Sequence, residues 1–267
     1  VELQELLAKV TDFCKKLTYL EGVMEYGLLF SGCAAFCVLF VFAIHWIYML
    51  PVKDSALRLK KSRILYLSLS AVLVVTSFVL AAAAGTGPHT SFLIPAGCVF
   101  ALIGDWCNLQ FPLAQRITRN EPVFGGIVSF CITQICFLLA FRERVSALID
   151  SRQGVFLVLL LFFLTLPLIV FITRVFTKGM SRRILLGSLL YGTLLGAMAA
   201  TAVCAALFIR GPWLLIASGA VLYLVSDARL GMTTLHGYHP PNEFQIPWIT
   251  YLAAQALIIN GFGLLSL

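Results

Sequence analysis

Charge is what this sequence has least of. Only 12% of its 267 residues are Asp, Glu, Lys or Arg, whereas 60% are hydrophobic. Soluble domains carry about a quarter of charged residues, so a fold built for water is excluded. Short segments of alternating polarity are also missing, and with them the signature of a transmembrane β-barrel. No CxxC pair, HExxH, Walker sequence or G-x-S-x-G elbow occurs, which removes the best-marked zinc, nucleotide and serine-hydrolase chemistries. Of the eight cysteines, Cys33, Cys37, Cys98, Cys107, Cys131, Cys136 and Cys204 fall in or at the ends of apolar runs, and only Cys14 in a polar segment. That is the distribution of small buried hydrophobes and not of a disulfide framework.

What is present is a series of long apolar runs. A backbone in hydrocarbon must satisfy its own hydrogen bonds, so such runs are helices. They fall at roughly 28–50, 64–84, 91–110, 123–141, 154–173, 184–208, 211–228 and 246–267. The fold class is therefore all-α: a polytopic membrane bundle of about eight transmembrane helices, occupying 28–267 as one domain. Pro88, Pro122, Pro212 and Pro240–Pro241 stand where helices should start or stop, and Pro167 should kink the run that contains it. Residues 1–27 carry eight charges of both signs among Val1, Leu3, Leu6, Leu7, Val10, Phe13 and Leu17. This helical spacing fits an amphipathic segment at the membrane interface, without the basic-then-apolar order of a cleavable signal.

The net charge of +7 does not point to nucleic acid, because the basic residues sit in short loops between apolar runs. The loops at 51–63, 111–122, 174–183 and 229–245 hold 12 Lys and Arg, against 7 on the opposite side. The positive-inside rule then puts those loops in the cytoplasm and both termini outside it.

Two stretches match one another. Gly97-Cys-Val-Phe-Ala-Leu-Ile-Gly-Asp105 lies over Gly219-Ala-Val-Leu-Tyr-Leu-Val-Ser-Asp227, and Phe130-x-x-x-Gln134 lies over Tyr251-x-x-x-Gln255. The offset between the aspartates spans four helices, an even number, so the copies would run in the same direction as two parallel four-helix repeats. Asp105 and Asp227 would then lie on the same side of the membrane and face one another across the bundle.

A carboxylate within a span costs about 2.5–3.5 kcal/mol, so it is usually paired or functional. The plain alternative is that each aspartate only marks the interfacial end of its helix; the repetition of the pattern, with no other acidic residue in the spans, favours chemistry. Two such carboxyls can hold one acid and one base together. Gln134 and Gln255 are candidates for orienting a water or a headgroup, or else for joining helices. Asn108, one turn beyond Asp105, lies on its face and within hydrogen-bonding reach. Asn260 and the serines at 31, 68, 70, 77, 129, 188 and 218 read as structural, as do Gly187, Gly192 and Gly196, which suit close helix packing. His45, beside Trp46 and Tyr48, fits an interfacial aromatic belt. With His236 and His239 it offers a weakly spaced metal alternative, while acidic residues in repeated helices also suit proton-coupled transport.

At these residues the chain resembles the YhhN family of integral membrane proteins, whose characterised members are lysoplasmalogenases. The resemblance rests on Gly104-Asp105 near the end of the third run and Ser226-Asp227 near the end of the seventh. Its third element is Tyr251-Leu-Ala-Ala-Gln255-Ala-Leu-Ile258 in the last. Where the family often has a histidine and a tyrosine on the fourth span, this sequence has Gln134 and Phe137, and the family's lysine-proline pair before the second span is missing. The resemblance implies hydrolysis of the vinyl ether bond of a lysoplasmalogen, a lysophospholipid substrate, to a fatty aldehyde and a glycerophospho-base. Asp105 and Asp227 would be the acid and base, with Gln134, Gln255, Asn108 and Tyr251 orienting substrate or water. The basic loops or Arg229 would hold the phosphate. No metal or organic cofactor is implied.

Overall fold

A computed structural model describes residues 55–83, 88–238 and 245–265. The amphipathic segment at 1–27, the run at 28–50 with His45, and His239 with Pro240–Pro241 lie outside the described residues. Among those described there is no strand. The helices are α1 (Ser55–Ala83), α2 (Pro88–Asn108), α3 (Pro112–Ile117), α4 (Pro122–Ser151), α5 (Gln153–Val170), α6 (Arg182–Phe208), α7 (Trp213–Thr234) and α8 (Gln245–Leu264).

Five of these are long and apolar enough to cross a membrane: Lys60–Ala82 of α1, then α4, α5 with the turn that follows it, α6 and α7. Phe92–Asn108 of α2 is a shorter apolar helix. α5 is the most apolar and the least covered, with Leu157, Val158, Leu161 and Phe162 all exposed. An aqueous protein does not leave such a face bare, and hydrocarbon is the solvent that suits it. α8 has the opposite character. Tyr251, Gln255 and Asn260 lower its apolarity, yet most residues from Pro247 to Gly263 are buried, because it packs on α1 and α7 with its polar groups turned inward.

Prolines set several boundaries as expected: Pro88 and Pro122 each open a helix and Pro212 caps α7, while Pro112 opens the short α3, which was not expected. Having no N–H, proline fits the first turn, where that donor would be unpaired anyway. The run containing Pro167 loses α geometry one turn later, in a π-helical turn at Phe171–Val175 closed by Phe176 N–H donating to the Phe171 carbonyl at 2.8 Å.

Asp105 lies in the last turn of its helix, whereas Asp227 stands about two turns before the end of its own. α2 continues to Asn108, where the Leu109 N–H donates to the Asp105 carbonyl and Gln110 turns left-handed at φ 53°. α7 continues to Thr234, six residues past the expected end at 228: Gly231 keeps helical geometry, and the chain turns left-handed only at Gly237, φ 71°.

Small residues let the backbones close up. A Cβ at Gly97 would lie 2.7 Å from the Phe137 ring of α4, and one at Gly219 would lie 2.7 Å from the Ala254 carbonyl oxygen of α8. Gly196 faces the Phe163 carbonyl of α5 so closely that no side chain fits. Gly187 is also tight against Ile127 of α4, but Gly192 is not: a Cβ there would meet only Pro167, at an ordinary 3.7 Å. The packing role expected of all three holds for Gly196 and Gly187, whereas Gly192 borders open space.

Candidate functional site

The glycine contacts draw α2 against α4 and α7 against α8, and the polar groups of these helices meet in the interior. Asp105 is 1% exposed. Its Oδ2 accepts two hydrogen bonds from other helices, one from the Ser70 hydroxyl of α1 at 2.5 Å and one from the Tyr251 hydroxyl of α8 at 2.9 Å. Gln255, also 1% exposed, donates from Nε2 to the Tyr251 oxygen at 2.6 Å. A relay Gln255–Tyr251–Asp105 therefore crosses from α8 to α2. The second oxygen of Asp105, Oδ1, is buried without a hydrogen-bond partner.

Asp227 sits in a different setting. It is partly exposed, and one of its oxygens accepts a hydrogen bond from the Tyr191 hydroxyl of α6. Gln134 of α4 is fully buried, and its amide stands against that hydroxyl without a formed hydrogen bond. Phe130, which matches Tyr251 in the aligned stretches, has no hydroxyl to offer; its ring packs on both Tyr191 and Tyr251. Tyr191 supplies from α6 what Phe130 lacks.

Two cavities flank this cluster. The larger, about 370 Å³, lies between α4, α5, α6 and α7. Its walls are mostly apolar, from Ile127, Phe130, Leu166, Pro167, Leu195 and Leu224 among others, and its polar side chains include Asp227, Tyr191, Ser188 and Asn108. That composition and size match small-molecule sites, in which a few polar groups orient an otherwise apolar ligand. The smaller is a void of about 10 Å³, lined by Asp105, Asn108, Phe130, Ser226, Asp227, Leu230, Pro247, Trp248 and Tyr251. The two aspartates face it together and are near enough to interact electrostatically.

The structure thus brings Asp105, Asp227, Tyr251, Gln255, Gln134 and Asn108 to one interior site. Asn108 lines both cavities, its amide against Gly126, while Ser70 and Tyr251 hold Asp105. Arg229 lines neither cavity. Two residues along a helix is about 200° around it, so Arg229 points away from the face that carries Asp227. Asn260 bonds its own helix through the Ala256 carbonyl. His236 is exposed, and no group of three metal-ligating side chains occurs among the described residues.

Two functional candidates were not legible in advance. Ser70 reads like the other span serines, and several of those do bond their own helix, Ser68 to Ile64 O, Ser77 to Val74 O and Ser129 to Gly125 O. Tyr191 lies outside both aligned stretches. Its one signal is a polar-tipped aromatic in the middle of an apolar run.

A helical membrane protein with an interior pair of aspartates beside an apolar cavity is the class this fold and site define. Residues 59–262 match the YhhN family, and the chain belongs to it. No curated protein and no solved structure matches the chain.

Proposed function

We propose that this protein is a membrane-embedded hydrolase of lysoplasmalogen type, cleaving the vinyl ether bond of a single-chain lysophospholipid drawn from the bilayer. The observation that carries this reading is the placement of Asp227, which faces an apolar cavity on one side and, on the other, a void it shares with Asp105. A vinyl ether is activated by protonation of its β-carbon, which leaves an oxocarbenium ion for water to trap. One carboxyl supplies the proton and the second carboxylate manages the water, as in glycoside hydrolysis. The apolar cavity would hold the alkenyl chain. The phosphate would rest at the loop end, where Arg174 adjoins the cavity residue Val175. Nucleic acid has no part in this scheme.

The reading includes a parallel duplication of four helices. In its support, Gly97 and Gly219 each admit a neighbouring helix, and Gln134 and Gln255 each back a tyrosine that bonds an aspartate.

The test is aldehyde release by the purified protein from lysoplasmenyl lipid, with acyl lysophospholipid as control. Asp105→Asn and Asp227→Asn should each lower the rate about 100-fold or more, the usual reach of general acid–base catalysis, while the bundle still melts cooperatively in detergent. Full activity in both variants would remove the carboxyl mechanism. Loss of activity on chelation would favour a metal-dependent hydrolase, and proton-coupled flux in liposomes without aldehyde would favour a transporter.

A further inference from the structure

The two carboxylates are not equivalent, and the void between them separates their roles. Asp227 lines both cavities, so it reaches the space a lipid chain would occupy. Asp105 is among the residues lining the small void and not among those lining the large cavity. Its Oδ2 is taken by Ser70 and Tyr251, both donors, so that oxygen carries no proton and Oδ1 is the one free to take one up. Its Oδ1 has no partner in a residue only 1% exposed. A buried polar atom left unpaired costs about 1–3 kcal/mol. One water needs roughly 10–15 Å³ and two to four polar partners; the void offers about 10 Å³ between two carboxyls, with Asn108 and Ser226 also on its wall.

We propose that this void binds the hydrolytic water, that Asp105 is the base that holds it, and that Asp227 is the acid facing the lipid. The assignment rests on the hydrolase reading and goes further by giving each carboxyl one task. Asp227 transfers its proton to the alkenyl β-carbon, and the π electron pair forms the new C–H bond. The adjacent carbon becomes an oxocarbenium ion. The water oxygen bonds to that carbon while its proton passes to Asp105 Oδ1, giving a hemiacetal. The carbon–oxygen bond to glycerol then breaks with its electron pair going to the glycerol oxygen, which takes the proton from Asp105. The hemiacetal hydroxyl returns its proton to Asp227, and the aldehyde leaves. Vinyl ether and water are consumed, aldehyde and alcohol are formed, and both carboxyls are restored.

The roles separate in heavy water. Without a base to deliver water, the oxocarbenium ion reverts, so Asp105→Asn should place deuterium on the β-carbon of recovered lysoplasmenyl lipid while aldehyde release falls about 100-fold. Asp227→Asn should lose exchange and release together. Exchange that survives in Asp227→Asn, or that vanishes in a folded Asp105→Asn, overturns the assignment. An experimental density map of the intact protein gives a second measure that does not depend on turnover. One ordered water between the two carboxyls is expected, and a void closed by side chains overturns the site. If the intact protein releases no aldehyde, the hydrolase reading fails, and the map still decides whether the void holds water.

Discussion

The Tyr251 hydroxyl reaches across from α8 to donate to Asp105 Oδ2 at 2.9 Å, joining residues 146 positions apart. Tyr251 is itself held by Gln255, so the Asp105 carboxyl of α2 is oriented by a two-residue strut on the last helix. Tyr251→Phe keeps the ring contacts with Phe130, Tyr223 and Trp248 but removes the donor, and it strips Gln255 Nε2 of its acceptor. A hydrogen bond to a charged group contributes about 1.5–3 kcal/mol, so aldehyde release should fall roughly 10- to 100-fold. Steady-state rates with lysoplasmenyl lipid measure this. A Tyr251→Phe variant as fast as the parent would show that the strut is not needed.

Two serines two residues apart on α1 should differ sharply. Ser70 donates to Asp105, whereas Ser68 donates to the Ile64 carbonyl of its own helix. Ser70→Ala should slow turnover with little change in KM, because Asp105 does not line the cavity assigned to the lipid chain. Ser68→Ala, on an exposed face, should leave both parameters and the melting temperature nearly unchanged. Equal effects from the two would mean that the Ser70 contact has no catalytic consequence.

The contrast between these serines also shows where sequence reading stops. The two aspartates were legible because each ends the same glycine-spaced pattern, and Tyr251 and Gln255 because they share a motif one turn apart. The seven runs from 64 onward each correspond to a helix. Which way a hydroxyl turns is different: it depends on which helix lies opposite, and the sequence of α1 alone does not encode that. Tyr191 escaped for the same reason. It completes a pairing whose aligned position, Phe130, has no hydroxyl, and only the packing of α6 against both α4 and α7 brings it to Asp227.

Tyr191→Phe should therefore matter in a way the motif does not announce. It removes the hydrogen bond to Asp227 and leaves the Gln134 amide facing a ring edge. Since Tyr191 also borders the large cavity, the loss should appear in turnover, by about 10- to 100-fold, with chain-length preference unchanged. Rates measured across lysoplasmenyl lipids of different chain length separate these effects. A change in preference without a change in turnover would place Tyr191 in substrate fit and not in catalysis.

The two glycines one turn apart on α6 divide packing from substrate space. Gly196 is pressed against the Phe163 backbone carbonyl, an atom that cannot rotate aside, so even Gly196→Ala must push α5 away. Overpacking of this kind costs about 1–3 kcal/mol, and the melting temperature in detergent should drop while residual activity per folded molecule persists. Gly192 has room for a Cβ, with Pro167 at 3.7 Å, and it borders the large cavity. Gly192→Leu should fold and place its side chain into that space, raising KM for long-chain lysoplasmenyl lipids more than for short ones, since the side chain occupies volume without touching either carboxyl. Uniform loss across chain lengths, with a normal melting temperature, would mean that the alkenyl chain lies somewhere other than between α5 and α6.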